Sequence, residues 1–375
     1  MERGTMSKQK VYFANMRARD PRDNTVSKIN RLFESAGFGE TVRKNGLTAI
    51  KLHFGELGND SYINPVFVRQ VVDKVRAHGG KPFVTDSNTL YHGCRKNAAD
   101  HIETAILHGF DYSVVGAPVI IADGLSGGNK KTIEIQKKHF KDVIISGDIA
   151  AAECMIVLSH FKGHEAAGFG GAIKNLGMGC APAVGKQAQH SARPVIIKEA
   201  CIGCGKCAGV CPETAITLIN EKSSIDMSAC IGCFECVTVC PERAVDIDWE
   251  TEIPQFIERV VEYAAGAVHG KESRTGYMNF LTHITPDCDC VPWSDAPVVP
   301  DIGILASRDP VAIDAASFDL VNSQQGNPGS LLLHNYRKGE DKFKGLRANT
   351  DAYRQIRYGE EIGLGSSEYE LVPLQ

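Results

Sequence analysis

Residues 47–87 read LTAIKLHFGELGNDSYINPVFVRQVVDKVRAHGGKPFVTDS, and the order of patterns inside them decides the fold class. LTAIKLHF (47–54) and KPFVTDS (81–87) are apolar runs of strand length, and the segment between them, near 65–78, reads as a helix. Asn64-Pro65 supplies an N-cap and a first-turn proline, and Gly79-Gly80 stops the helix. Strand, helix and strand in this order make a β-α-β unit, for which a parallel sheet is the economical inference.

The same rhythm extends in both directions. Upstream lie VYFANM (11–16) and a helix near 25–36. Downstream come a helix near 97–108, then YSVVGAPVIIA (112–122), KDVIISGDI (141–149) and CMIVLSHF (154–161). Beyond a cysteine-rich interval the pattern resumes with a helix near 254–268, DIGILAS (301–307) and DPVAIDAASFDLV (309–321), in which Asp309-Pro310 reads as a helix start. Residues 1–194 and 251–375 therefore read as the two parts of one α/β domain with a mainly parallel sheet, interrupted by a small α+β module over 195–250. Insertion at a loop tip costs little chain entropy.

Composition narrows the function classes. The 375 residues are 43% hydrophobic and 23% charged, which excludes disorder and collagen-like order. No apolar run approaches the roughly 18 residues of a membrane helix, and the start MERGTMSKQK lacks a signal-peptide core, so the expectation is a cytoplasmic chain without membrane contact. A net charge of −4 offers no basic field for nucleic acid. Thirteen cysteines are the excess, and in a reducing compartment they point to metal or redox chemistry.

Eight of those cysteines form a repeat. CIGCGKCAGVCP (201–212) and CIGCFECVTVCP (230–241) both have the spacing C-x2-C-x2-C-x3-C-P. In two-cluster ferredoxins each compact triplet serves one cubane and the fourth cysteine serves the other. On that rule one [4Fe–4S] cluster takes Cys201, Cys204, Cys207 and Cys240, and the second takes Cys230, Cys233, Cys236 and Cys211. AITLI (215–219) and AVDID (244–248) read as the paired strands of the module. Over about 195–250 the sequence resembles a bacterial-type two-cluster ferredoxin, and the resemblance implies low-potential, single-electron transfer. Acidic residues outnumber basic ones nine to four there, a face suited to steering a basic redox partner protein.

Other candidates lie at expected strand ends. SHFKGHEAAGFGGAIKNLGMGC (159–180) collects His160, Lys162, His164, Lys174 and Cys180 among glycines, a setting for a small anionic substrate. His160 and His164 stand four apart, but no Glu follows His160 and Gly163 weakens a helix, so a metalloprotease motif is absent. His53, between Lys51 and Glu56, ends another strand, as do Asp86, Asn88, Tyr91 and His92. The catalytic candidates are His53, Lys162, His164 and Lys174. Cys288 and Cys290, in PDCDCVPW beside Trp293 and Asp295, can chelate a soft metal, and Cys180 completes a candidate third site that would hold an additional metal. Cys94 and Cys154 stand alone.

The order of KLHFGE (51–56), SHFKGH (159–164), GGAIKNLGMGC (170–180), CDCVP (288–292) and DIGILASRDPVAID (301–314) resembles a prokaryotic domain-of-unknown-function family, number 362, over nearly the full chain. That resemblance implies the α/β architecture with a ferredoxin insert. The functional expectation is an iron–sulfur electron-transfer protein whose two clusters feed a ferredoxin-linked oxidoreductase site for a small anion. Two alternatives accompany it: a non-enzymatic electron carrier or docking protein, and a metal- or cluster-handling protein using Cys180, Cys288 and Cys290.

Overall fold

The computed structural model describes residues 8–91, 93–190, 193–230, 236, 239–242, 244–247 and 253–374. Its centre is an eight-stranded sheet of β1 (Gln9–Asn15), β2 (Leu47–Lys51), β3 (Lys81–Asp86), β4 (Val119–Ile121), β5 (Cys154–His160), β6 (Thr275–Leu281), β7 (Gly303–Ser307) and β8 (Tyr369–Pro373). The strands lie in the order β8-β1-β7-β6-β5-β2-β3-β4. From β6 through β5, β2 and β3 to β4 every pairing is parallel. β7 alone is reversed, antiparallel to both β6 and β1, so the sheet is mixed and mostly parallel.

Strands buried on both faces explain the apolar runs. In β5, Ile156 and Leu158 point into one core with Ile50, while Met155 and Val157 point into the other with Ala49. The first core is roofed by Leu32 and Phe33 of α1 (Thr25–Ser35) and by Val68, Val71, Val72 and Val75 of α2 (Pro65–Ala77). The second is roofed by Val261 and Ala264 of α5 (Ile253–Val268) and by Val311 and Ala315 of α6 (Pro310–Asn322). Each fully buried aliphatic side chain of this kind contributes about 1.5–3 kcal/mol. α3 (Ala98–Leu107), α4 (Ala172–Gly177) and α7 (Arg354–Glu361) complete the labelled helices.

The boundaries of α2 follow from its caps. Asn64 Oδ1 accepts the Val66 N–H at 2.9 Å, and Gly79 takes the left-handed φ of +84° that ends the helix. Three elements depart from the sequence reading. YSVVGAPVIIA divides into a helical turn, Tyr112–Val115, and the short β4. KDVIISGDI joins no main-sheet strand, because Asp142–Ser146 pairs antiparallel with Lys130–Glu134. DIGILAS supplies the one reversed strand, β7.

The expectation of a ferredoxin-like two-cluster module over 195–250 is corrected. AITLI and AVDID do not pair with each other: Ile216–Ile219 turns back on Lys222–Ile225, and Val245–Ile247 pairs with Pro194–Ile196. Among the described residues this segment adds no strand to the main sheet, and its apolar centre gathers Cys207, Ile216, Cys236 and Val245 with Ile196, Ala208, Cys211, Ile225 and Cys240 packed against them. The supported fold is α/β on a mixed, mostly parallel sheet that carries small two-stranded ribbons.

Candidate metal centre

The chain leaves β2 toward β3 and β4 on one side, and leaves β5 toward β6 on the other. β2 and β5 are neighbours, so the carboxyl ends of these two strands flank a topological switch point, where open α/β sheets form their crevices. Lys51 closes β2, Asp86 closes β3 and His160 closes β5. All three are buried.

Burying charge at strand ends is tolerable only when each charge is met. Lys51 Nζ lies 2.9 Å from Asp86 Oδ1 and donates to Asn175 Oδ1 at 2.7 Å. Arg95 reaches Glu56 at 3.1 Å, Asp86 at 3.8 Å and His53 Nε2 at 3.2 Å. Burial by itself would raise the Asp86 carboxyl, but the charges of Lys51 and Arg95 outweigh it and hold it below the usual carboxylate range. Burial, aided by Arg95, lowers His53 to about 3, so its imidazole is neutral. Asn88 N–H donates to Asp123, and Tyr91 Oη donates to the Cys290 carbonyl at 3.2 Å; His92 lies outside the described residues.

The loop after β6 brings the cysteine pair into this crevice. Val291 N–H donates to the Cys288 carbonyl at 3.1 Å, closing a turn around Asp289 and Cys290. Asp289 is fully buried and takes His160 Nδ1 at 2.8 Å, Lys162 Nζ at 3.1 Å and Ser61 Oγ at 3.0 Å. Burial opposes its ionisation, yet His160 and Lys162 prevail and keep it a carboxylate. The same pairing, against the cost of burial, raises the Lys162 ammonium. Asp289 thus fixes the turn from below while Cys288 and Cys290 project elsewhere.

They project toward His164. Lys162–His164 is a short strand paired with Gly168–Gly170, and Gly163 N–H donates to Thr285 O at 2.8 Å. A Cβ at Gly163 would stand 2.2 Å from the Pro286 carbonyl oxygen, so only glycine lets the loop after β5 touch the loop after β6. His164 Nδ1 accepts the N–H groups of Ala166 and Ala167, both at 3.1 Å, which orients the ring. One ligand atom each from His164, Cys288 and Cys290 then lies within 4.8 Å of the others, the one such convergence of three ligating side chains among the described residues. Tetrahedral thiolate ligation of one ion puts sulfurs about 3.8 Å apart, which fits inside that span.

The two thiols are electrostatically unequal. A hydrogen bond from the Cys290 thiol favours the Cys288 thiolate, and despite burial the charges of Lys174 and Lys162 and a hydrogen bond from His164 hold Cys288 well below an ordinary thiol. Cys290 is pushed up in return, first by that same hydrogen bond and then by burial. Lys174 Nζ donates to Cys288 Sγ at 3.8 Å.

Set against the sequence reading, the structure gathers Lys162, His164 and Lys174 with Cys288 and Cys290, and places His53 on the Arg95 side of the same crevice. It separates His160 from His164, since one binds Asp289 and the other faces the thiols. Cys180 does not complete the proposed three-thiol set: it is buried, its thiol donates to Asn175 O at 3.8 Å, and burial pushes it up to about 11. Histidine takes its place. Asp289 and Arg95 were missed. The aspartate between the two cysteines of CDC was the available signal, whereas nothing local marks Arg95.

The expectation of two [4Fe–4S] clusters is also corrected. Cys201, Cys204, Cys207 and Cys240 line a common small cavity, but no three described ligand atoms of 201–240 come within 4.8 Å of one another. Their sulfurs accept backbone N–H groups, Ser223 on Cys201 at 3.4 Å and Ala244 on Cys240 at 3.1 Å. In the second set Ala215 N–H donates to Cys211 at 3.3 Å, Cys230 and Cys236 join no convergent group, and Cys233 lies outside the described residues. The repeat sets spacing along the chain, and spacing alone does not fix where donor atoms meet. Among the described residues the single candidate metal site is His164, Cys288 and Cys290.

Among the described residues no helix is long and apolar enough to cross a membrane. No curated protein matches the chain. Among solved structures, the lactate racemase apoprotein from Thermoanaerobacterium thermosaccharolyticum is similar at 11% identity with a TM-score of 0.38, covering 73% of this chain and 51% of that one. This chain thus spans about half the length of that protein. Residues 48–319 match the family described as Domain of unknown function (DUF362), and the chain belongs to that family.

Proposed function

We propose that this DUF362 protein binds one thiophilic metal ion through His164, Cys288 and Cys290. The observation that carries the reading is the meeting of one imidazole and two thiols within 4.8 Å, with the Lys174 and Lys162 charges acting on Cys288 and Glu165 3.4 Å from His164 Nε2. Two sulfurs and one nitrogen suit zinc or a related thiophilic divalent ion, and three protein ligands leave a fourth position open, as in metal sites that exchange ligands. The thiolate of Cys288 is prepared by Cys290, Lys174 and Lys162 before any ion arrives. Asp289, His160 and Ser61 hold the turn that presents both sulfurs. Such unpaired thiols persist in a reducing compartment, for which the cytoplasm is our expectation.

The test is a difference measurement. The full chain and a Cys288→Ser, Cys290→Ser variant are prepared without oxygen, and bound zinc and cobalt are quantified in each. The wild type should retain one equivalent more than the variant, with thiolate-to-cobalt charge-transfer bands lost in the variant and weakened in His164→Ala. Metal held by other thiols is common to both proteins and cancels. Equal metal content and equal spectra would sink the reading.

A further inference from the structure

We propose that the open position of this centre takes a small carboxylate monoanion, with one oxygen on the metal and the other accepting from Lys174; the inference rests on the metal reading above. The argument is one of charge. Metal-bound cysteines are thiolates, so Cys288 and Cys290 balance a divalent ion between them. Glu165 lies 3.4 Å from His164 Nε2, beside the imidazole, and the neighbouring cations divide into those already met and one that is not. Lys162 is spent on Asp289 at 3.1 Å, Lys51 on Asp86 at 2.9 Å and Arg95 on Glu56 at 3.1 Å.

Lys174 is different. Its ammonium lies 3.8 Å from Cys288 Sγ, and among the described residues it has no carboxylate within ion-pair distance. Once the metal claims the thiolate charge, a half-buried ammonium remains beside an incomplete coordination shell. A water ligand would leave that charge unmet, whereas a bridging carboxylate satisfies the metal and the lysine together.

Space at this point is limited and specific. A Cβ at Gly170 would stand 3.3 Å from Lys162 Cε and 3.6 Å from Lys174 Cδ, so glycine lets both lysine stems pack close against this backbone. The crevice lies at the switch point between β2 and β5, where ligands of such sheets enter.

The experiment uses the full chain loaded with cobalt(II), with loading referred to the Cys288→Ser, Cys290→Ser variant. Sodium acetate and the uncharged isostere acetamide are titrated at constant ionic strength while the ligand-field bands are followed. Acetate should shift the bands saturably and acetamide should not. Lys174→Met should raise the half-saturating acetate concentration at least tenfold, and Lys174→Arg should recover much of it. Bands unmoved by acetate, moved equally by acetamide, or titrating alike in Lys174→Met and wild type would overturn the anion inference with the metal reading intact. A wild type that takes no more cobalt than the double variant would instead overturn the metal reading and this inference with it.

Discussion

Lys51→Met tests how the crevice is held together, since it removes one end of an ion pair whose side chains are 1% and 4% exposed. The wild-type Lys51 ammonium sits 2.9 Å from Asp86 Oδ1 and also serves Asn175 and the Leu52 carbonyl. Methionine fills the same apolar path but leaves Asp86 with the Ser87 N–H at 2.9 Å and with Arg95 at 3.8 Å, a guanidinium it must share with Glu56. Breaking one partner of a buried pair costs about 3–5 kcal/mol. Against a domain stability of about 5–15 kcal/mol, that is a large share. Urea unfolding of the metal-free protein, followed by far-ultraviolet circular dichroism, reads the loss as a lower midpoint. The pH dependence has a definite sign. Asp86 is held below the usual carboxylate range, so its contribution is present above the unfolded value of about 3.9 and is lost as the pH falls through the lower folded value. The penalty of Lys51→Met should therefore be full at pH 7 and shrink near pH 4, where the stranded carboxyl takes a proton. A double variant, Lys51→Met with Asp86→Leu, should be more stable than Lys51→Met alone. A penalty below about 1 kcal/mol, or one of equal size at both pH values, would refute the pairing as the support of the strand ends.

Three further outcomes are expected. Asp289→Asn, which keeps the shape of the turn but weakens its hold on Lys162 and His160, should lower metal affinity by about 10–100-fold in competition with a chelator. Burial pushes Asp314 up to about 6, against the N–H groups of Ile173 and Ala172 and the Asn279 amide. The folded protein then binds a proton that the unfolded chain releases, so Asp314's own contribution is highest below the unfolded value and declines by about 3 kcal/mol as the pH rises to about 6; the neutral buried His53 and His190 contribute the opposite slope, so the loss is read as the difference in urea midpoint between wild type and Asp314→Asn from pH 4 to pH 7. Gly177→Ala would place a Cβ 2.1 Å from the Val260 carbonyl oxygen where α4 crosses α5, and should cost about 1–3 kcal/mol by thermal denaturation.

The α/β class was written locally. Apolar runs at β2, β3 and β5 and the caps of α2 are near-neighbour effects, and the strands and helix formed where the patterns fell. Strand direction was less legible, because DIGILAS has the same apolar content whichever way it runs, and only its neighbours β1 and β6 make it the reversed strand. The site was legible in its parts. KGH and CDC each carried ligand types, and the carboxyl ends of the strands were the right place to look. The sequence misled where a repeat was clearest: eight cysteines at regular spacing outweighed two at 288 and 290, although ligand atoms converge at the latter.

What the chain alone determines is what acts within a few residues: the period of burial, the helix caps, the glycine at 163 and the cysteine pair two residues apart. What only the tertiary structure decides is which distant groups share one volume. His164 meets thiols more than a hundred residues away because β5 and β6 lie side by side and a glycine lets their loops touch; Cys180, nearer in sequence, gives its thiol to the Asn175 carbonyl. Ligand shells and buried ion pairs are properties of distance in space, and the physical reason they escape the sequence is that sheet order, not chain order, sets that distance.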